Sequence, residues 1–354
     1  MLSIVRSGAL GRTIHKLNST SSRLPKPSCL THRKHHIYKY STMQTHTTIS
    51  SYRAWRTSLP PSTTSVGVIP TMGALHAGHI SLVRHAALEN THVVVTIFLN
   101  PAQFSPTEDL AAYPKTLPAD LAKLQALNDS LPSDAKGRVS AVFAPTVGEM
   151  YPLGIPLNRS EQVGTFVEVV PLSAKLEGGT RPHFFRGVAT VCTKLFNITA
   201  PDRVYFGQKD IQQTVILRRL LADLCYNVEL RVVPTEREAD GLAMSSRNVF
   251  LEGRRRDVAI VLYKALKAAE GVYLSGEGKA SEMLKVAREV VERGKVESGG
   301  MVELDYVSLN EGGLLEEVEV VERGKGVILS AAMWVNPTKE GEGRVRLIDN
   351  LILD

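Results

Sequence analysis

His76 and His79 stand three residues apart, a spacing that lets two imidazoles act at one point. Imidazole donates to phosphate oxygens and can carry positive charge near neutral pH, so the pair could bind charge developing at phosphorus. Gly78 between them leaves room for a ligand against the backbone. A metal pair and two solvated histidines at a helix start are the competing readings. The metal reading lacks an intervening Glu and a third ligand nearby. Further along, Lys209 is a point charge suited to a phosphate, and Ser245, Ser246 and Arg247 offer two hydroxyls and a guanidinium to a triphosphate. Gln103 can donate to a carboxylate and accept from a hydroxyl, which suits a hydroxy acid; a plain loop glutamine is its other reading.

Such groups need elements that converge. Val66–Ile69 is an apolar run of the kind that forms a strand buried on both faces, and Pro70 is expected to end its ladder. Thr71-Met72-Gly73 allow a tight turn, and Ile80, Leu82, Val83, Ala86 and Ala87 share one side of a following helix. Strand, glycine-bearing loop and helix N-terminus together make a phosphate site. Residues 92–99 read as a second buried strand, so the unit is βαβ in a parallel sheet. Ligands bind such sheets beyond the carboxyl ends of the strands, which places Asn100 and Gln103 at the edge that holds His76 and His79.

The rest of the chain repeats the pattern. A surface helix is expected over 118–128, an exposed insertion over 128–140, a strand over 141–145 and a loop over 175–190 carrying Arg181 and Arg186. A helix over 187–198 leads to strand Val204–Phe206 and the strand-end loop Gly207-Gln208-Lys209-Asp210, with Asp210 placed to cap the next helix. Residues 228–233 form the last core strand. Beyond it, helices over 254–273 and 281–293 and strands over 302–309, 327–332 and 344–348 make a smaller α+β region after a hinge near 233–240. The fold class is therefore α/β, with a parallel-sheet domain over 43–233, a small α+β domain over 234–354 and a leader over 1–42.

Taken in order, Val66–Arg84, Asn100-Pro101-Ala102-Gln103-Phe104, Tyr113–Leu117, Gly207–Asp210 and Met244–Arg247 resemble the pantothenate synthetase (pantoate–β-alanine ligase) family. That family belongs to the nucleotidyltransferase superfamily, which shares a His-x-Gly-His motif with class I aminoacyl-tRNA synthetases. The likeness covers about residues 50–350. It implies a Rossmann-like domain and an ATP-dependent condensation of pantoate with β-alanine through pantoyl adenylate, releasing pyrophosphate and AMP. It implies catalytic roles for His76, His79 and Lys209, and ATP contacts at Met72, Gly73, His76, Gly78, His79, Gly207, Gln208, Lys209, Asp210, Met244, Ser245, Ser246 and Arg247. At Glu236 it implies a backbone contact to adenine. Gln103, Gln213 and Asn100 are implied for pantoate or β-alanine, Mg²⁺ as the companion of ATP, and a homodimer as the assembly. Ligands from the protein to the metal are not specified. Arg181-Pro182-His183-Phe184-Phe185 departs from the family's usual Arg-Pro-Gly-His-Phe, so no role for that histidine is carried over.

Charge needs dissecting. Of 42 basic and 36 acidic residues, ten basic and no acidic ones fall in residues 1–56, so the body keeps 32 against 36, a net of −4. The body gives no argument for nucleic-acid binding, and no apolar run is long enough to span a bilayer. Leu2, Val5, Ala9 or Leu10, Ile14 and Leu17 near helical spacing, with Arg6, Arg12 and Lys16 among them, have the pattern of a mitochondrial presequence. A basic extension on a cytosolic protein is the alternative. Cys29, Cys192 and Cys225 show no metal or disulfide spacing, and Cys192 and Cys225 are expected to be buried thiols. Transfer of AMP to a phosphate acceptor and non-catalytic nucleotide binding are the rival functions; the paired glutamines oppose the first, the histidine pair with Lys209 the second.

Overall fold

A computed structural model of the chain describes residues 42–105, 110, 111 and 113–354. The leader expected over 1–42 lies outside these residues apart from Thr42, and Cys29 lies outside with it. In chain order the elements are β1 Gln44–His46, α1 Ile49–Ser58, β2 Val66–Thr71, α2 Ala77–Glu89, β3 His92–Ile97, α3 Leu117–Ser130, β4 Arg138–Phe143, and the short α4 Val147–Met150 and α5 Glu177–Thr180. They continue with α6 Phe184–Thr199, β5 Arg203–Gly207, α7 Ile211–Asp223, β6 Glu229–Val233, α8 Arg254–Ala259, α9 Val261–Leu274, α10 Ala280–Ser298, β7 Val302–Asn310, β8 Val327–Val335 and β9 Val345–Leu353.

The first sheet is parallel, in the order β1-β4-β3-β2-β5-β6. Alternation along its strands divides two cores. Val66, Val68, Val94, Phe143 and Phe206 face one, with α1, α6 and α7. Ile69, Val93, Val95, Val142 and Tyr205 face the other, with α2 and α3. Sequence order reverses between β2 and β5, so the crevice at their carboxyl ends is the switch point where such sheets bind ligands. His76, His79 and Lys209 follow those two strands. The α/β reading holds.

Local expectations fared less evenly. Pro70 does not end the ladder, because β2 runs to Thr71. The Thr71 carbonyl accepts Phe98 N–H at 3.0 Å, so Pro70 turns its missing N–H away from β3. The insertion read over 128–140 is part of the fold: the Asn128 amide clamps both backbone groups of Val139, at 2.8 and 2.9 Å, and Leu131 and Ala135 are buried. A polar run concealed a buried amide. Helix α6 starts at Phe184, and part of the loop expected before it is the turn α5. Cys192 is buried as expected, but Cys225 is exposed at a left-handed φ of 55°. There α7 has ended, and Tyr226 N–H returns to the Leu221 carbonyl at 2.9 Å.

The second sheet is an antiparallel meander, β7-β8-β9. One face, with Val307, Leu309, Leu329, Ala331, Met333 and Leu347, packs on Leu262, Leu266, Met283 and Ala287 of α9 and α10. Residues at the alternate positions, Tyr306, Ser330, Trp334, Arg346 and Asn350, look into a cavity instead.

Candidate active site

The β2–α2 junction is held from outside. Gly73 and Ala74 take positive φ values of 88° and 52°. The buried carboxylate of Asp120, from α3, accepts Ala74 N–H at 3.0 Å and Leu75 N–H at 2.8 Å. Without that carboxylate two amides of a strained turn would lose their partners. The sequence offered one signal, a carboxylate on the stripe Leu117, Leu121, Leu124, Leu127, and it was missed.

His76 is the N-cap residue of α2, one position ahead of the helix. Its Nδ1 accepts Gly78 N–H at 3.1 Å, and His79 Nδ1 accepts His76 N–H at 3.4 Å. A nitrogen that accepts a backbone N–H carries no proton, so both neutral rings keep theirs on Nε2 and present it as a donor. The ring centroids lie 4.1 Å apart. Burial, then the neighbouring Lys209, pushes His76 down to about 4; burial and His76 push His79 down to about 3. In the unliganded protein both are therefore neutral donors at neutral pH, which corrects the expectation of positive charge.

At the end of β3, Asn100 is buried and fully engaged. Its Oδ1 accepts from Tyr151 Oη at 2.8 Å and Ala102 N at 3.3 Å; its Nδ2 donates to the Gly187 carbonyl at 3.2 Å and Gln103 Oε1 at 3.0 Å. Asn100 thus orients Gln103 and leaves the Gln103 amide donor for the cavity, rather than lining the cavity itself. Gly187 permits this closeness, since a Cβ there would lie 2.2 Å from the Ala102 carbonyl oxygen.

After β5, Lys209 Nζ meets Asp210 Oδ1 at 2.9 Å. Asp210 makes no side-chain cap, contrary to expectation. Burial raises its pKa, but Lys209, Arg247 and His79 outweigh burial and hold it below the usual carboxylate value. Gln212 and Gln213 both line the cavity, and buried Gln212 also accepts Glu177 N–H at 3.0 Å and donates to the Lys175 carbonyl at 2.7 Å.

Residues 236–244 form a small hairpin: Met244 N–H reaches the Glu236 carbonyl at 2.9 Å and Glu238 N–H the Leu242 carbonyl at 2.8 Å. Met244 covers Gly78, its Cβ 3.9 Å from where a Gly78 side chain would begin. Ser245 Oγ accepts Arg247 N–H at 3.2 Å, and Tyr113 Oη lies 3.4 Å from Ser246 Oγ. A cavity of about 1180 Å³ follows, lined by Gln103, Tyr113, Lys209, Gln213, Ser246 and Arg247 on one side and by Tyr306, Arg346 and Asn350 of the second sheet on the other. Met72, Gly73, His76, Gly78, His79, Gly207, Gln208, Glu236, Met244 and Ser245 stand outside that lining, while Lys209 and Asp210, whose charges reach both rings, are within it. Arg346 is buried between Glu177 and Asp305; burial lowers its pKa, but the bonds and charges of the two carboxylates outweigh burial and raise it. The second-sheet contacts were not anticipated.

Residues 44–352 match the family model described as pantoate-beta-alanine ligase. A pantothenate synthetase of Roseiflexus castenholzii is 46% identical over 307 residues, 87% of this chain and 98% of that protein. A pantoate–beta-alanine ligase of Saccharomyces cerevisiae is 42% identical over 316 residues, 86% of this chain and 98% of that one. The crystal structure of pantothenate synthetase from Thermus thermophilus superposes with a TM-score of 0.72 at 39% identity, covering 87% of this chain and 99% of that chain. The Francisella tularensis ligase, solved with beta-gamma ATP and beta-alanine, gives a TM-score of 0.65 at 29% identity over 88% of this chain and 97% of its own. The chain belongs to the pantoate–β-alanine ligase family and is an enzyme that condenses pantoate with β-alanine.

Proposed function

We propose that the condensation runs in two steps at the carboxyl ends of β2, β3 and β5 and in the cavity beside them, with ATP as the activating substrate. In the first, a pantoate carboxylate oxygen attacks the α-phosphorus of ATP; the bond to the β-phosphate breaks and pyrophosphate leaves. In the second, the β-alanine amine attacks the acyl carbon of pantoyl adenylate, the bond to AMP breaks, and the amine loses its proton. No protein nucleophile is needed, so the work is positioning and charge stabilisation. His76 and His79 donate Nε2–H to phosphate oxygens. Lys209 and Arg247 neutralise the triphosphate, and Ser245 and Ser246 bond it as their loop closes. Gln103 and Gln213 hold pantoate.

One observation carries this reading: the two glutamines, Lys209, Ser246 and Arg247 line a single cavity although they come from three separate stretches of the chain. The Francisella tularensis structure, with its ATP analogue and beta-alanine, supports the same pair of ligands here. Among the described residues no three His, Cys, Asp or Glu side chains stand together as a metal site. As the family resemblance implies, Mg²⁺ would enter as a companion of ATP, held by phosphate and water, and would supply charge neutralisation. We extend the proposal to a homodimer, and to a mitochondrial or cytosolic setting for which the acid-free basic leader is the support.

Pyrophosphate release from ATP and pantoate without β-alanine tests the two-step reading. Release that requires β-alanine from the outset would refute a free-standing adenylate step. A phosphate acceptor replacing pantoate would favour nucleotidyl transfer instead.

A further inference from the structure

The outer strand of the second sheet reaches three loops of the site. Arg346 pairs with Glu177, ahead of α6, its Nη2 2.9 Å from Glu177 Oε1. Asp349 accepts both Arg237 Nη atoms, at 2.6 and 2.9 Å, and so holds the hairpin that carries Met244. Asn350 takes the third loop, the one with Lys209.

Asn350 is completely buried. Its Nδ2 donates to the carbonyls of Gln208 at 2.8 Å and Lys209 at 3.0 Å, and its Oδ1 accepts Gln208 Nε2 at 3.2 Å. Its own N–H goes to Asp349 Oδ1 at 2.8 Å, which couples it to the hairpin anchor. The Lys209 loop is one 3₁₀ turn between β5 and α7, too short to satisfy its own carbonyls. A primary amide of this length serves both carbonyls and still accepts in return. Asp has no proton to donate, Ser has one, and the extra methylene of Gln would carry the amide off the two carbonyls. With its backbone pinned by Asn350 and its Nζ drawn to Asp210 at 2.9 Å, Lys209 is held at both ends.

We propose that Asn350 is a positioning residue for Lys209, setting the main chain of Gln208 and Lys209 so that the ammonium meets the phosphates of ATP. This rests on the phosphate role given to Lys209 above. Asn350 touches neither substrate in this account; it acts through the loop it fixes. Gln103 is held by Asn100, and Gln213 sits on α7 beyond the two carbonyls that Asn350 holds, so pantoate binding should be spared.

The test is a double-mutant cycle on the full chain, reading pyrophosphate release with ATP and pantoate, and ATP affinity by titration where turnover is slow. Asn350→Ala should lower kcat/KM for ATP about 10- to 100-fold, as expected for loss of buried hydrogen bonds at a catalytic loop. The KM for pantoate should stay within about twofold. Asn350→Ser, which keeps one donor, should lie between. In a Lys209→Ala background Asn350→Ala should cost little more, because a residue acting through another loses its effect when that other is gone. An undiminished cost in that background, an equal rise in the KM for pantoate, or a folded Asn350 variant with wild-type ATP kinetics would each overturn the proposal. If the Ala variant does not fold, the Ser variant carries the same test. Normal pyrophosphate release by Lys209→Ala alone would instead refute the role of Lys209, and this proposal with it.

Discussion

His79 Nδ1 accepts the backbone N–H of His76 across 3.4 Å, and His76 Nδ1 accepts Gly78 N–H across 3.1 Å. The backbone thereby chooses the tautomer of both rings and aims two Nε2–H donors away from the helix. Replacing His79 with Ala should lower adenylate formation about 100-fold or more, in line with other preorganised donors to developing charge. The fold should persist, since the apolar contacts of α2 with the sheet run through Leu82, Val83, Ala86 and Ala87. Near-normal pyrophosphate release in the variant would remove His79 from the mechanism.

Acid should weaken the fold through the same pair. Folded His76 and His79 titrate near 4 and 3, below the ordinary value of 6.5 that applies once the chain unfolds. Between those values the unfolded state binds more protons, so stability is present above about pH 6.5 and is lost as pH falls toward 4 and 3. The thermal midpoint should drop over that window, and drop less in a His76→Asn, His79→Asn double variant. Equal acid sensitivity of the two proteins would mean that the histidines stay charged in the fold.

Gln103 owes its placement to a glycine 84 positions away in the chain. Gln103→Ala and Gln213→Ala should each raise the KM for pantoate about tenfold and leave ATP affinity intact, because each removes a partner from a hydrogen-bonding pocket. Gly187→Ala should act like Gln103→Ala although it lies outside the pocket, since its Cβ would displace the Ala102–Gln103 backbone. Titration showing ATP affinity lost and pantoate affinity kept would reassign the pocket.

What could be read in advance was local. His76, His79, Lys209 and Arg247 were legible because each sits directly beside a strand end or turn whose pattern is contained in a few residues. The apolar runs of Val66–Ile69 and His92–Ile97 announced a buried parallel sheet for the same reason. Asp120 and Asn350 were not legible, because their meaning lies in backbone groups far along the chain: Leu75, 45 positions from Asp120, and Gln208, 142 positions from Asn350. Cys225 failed for a subtler reason. The apolar pattern continues past Asp223 while the helix does not, since the chain reverses there through a left-handed residue.

Removing residues 1–42 should leave activity and stability unchanged. Among the described residues the first strand pairs with β4 from Gln44 onward, and every residue assigned to the site lies at Met72 or beyond. The same leader fused to a fluorescent protein should direct it to mitochondria if its basic amphipathic pattern is an address. A chain starting at Met43 that fails to fold would contradict the first expectation; a diffuse cytosolic fusion would decide the second for the cytosol.

Closure over the ligand depends on how the second signature loop is anchored. Hairpin 236–244 is fastened to the second sheet by Arg237 on Asp349, while the loop it leads to places Ser246 and Arg247 on the cavity wall with Gln103. Val249 and Phe250 of that loop line the same cavity and remain exposed, apolar surface that a shift toward the ligand would cover. If the second sheet and its loop swing as a lid over ATP, Arg247 both pairs with the triphosphate and shields the acyl adenylate from water. Arg247→Ala should then weaken ATP use and let more intermediate hydrolyse before β-alanine arrives. AMP formed should exceed pantothenate formed, whereas the wild-type ratio stays near one. A rigid loop whose arginine merely balances Asp210 predicts otherwise: the ratio and the ATP affinity of the variant would both match the wild type, and the lid would be refuted.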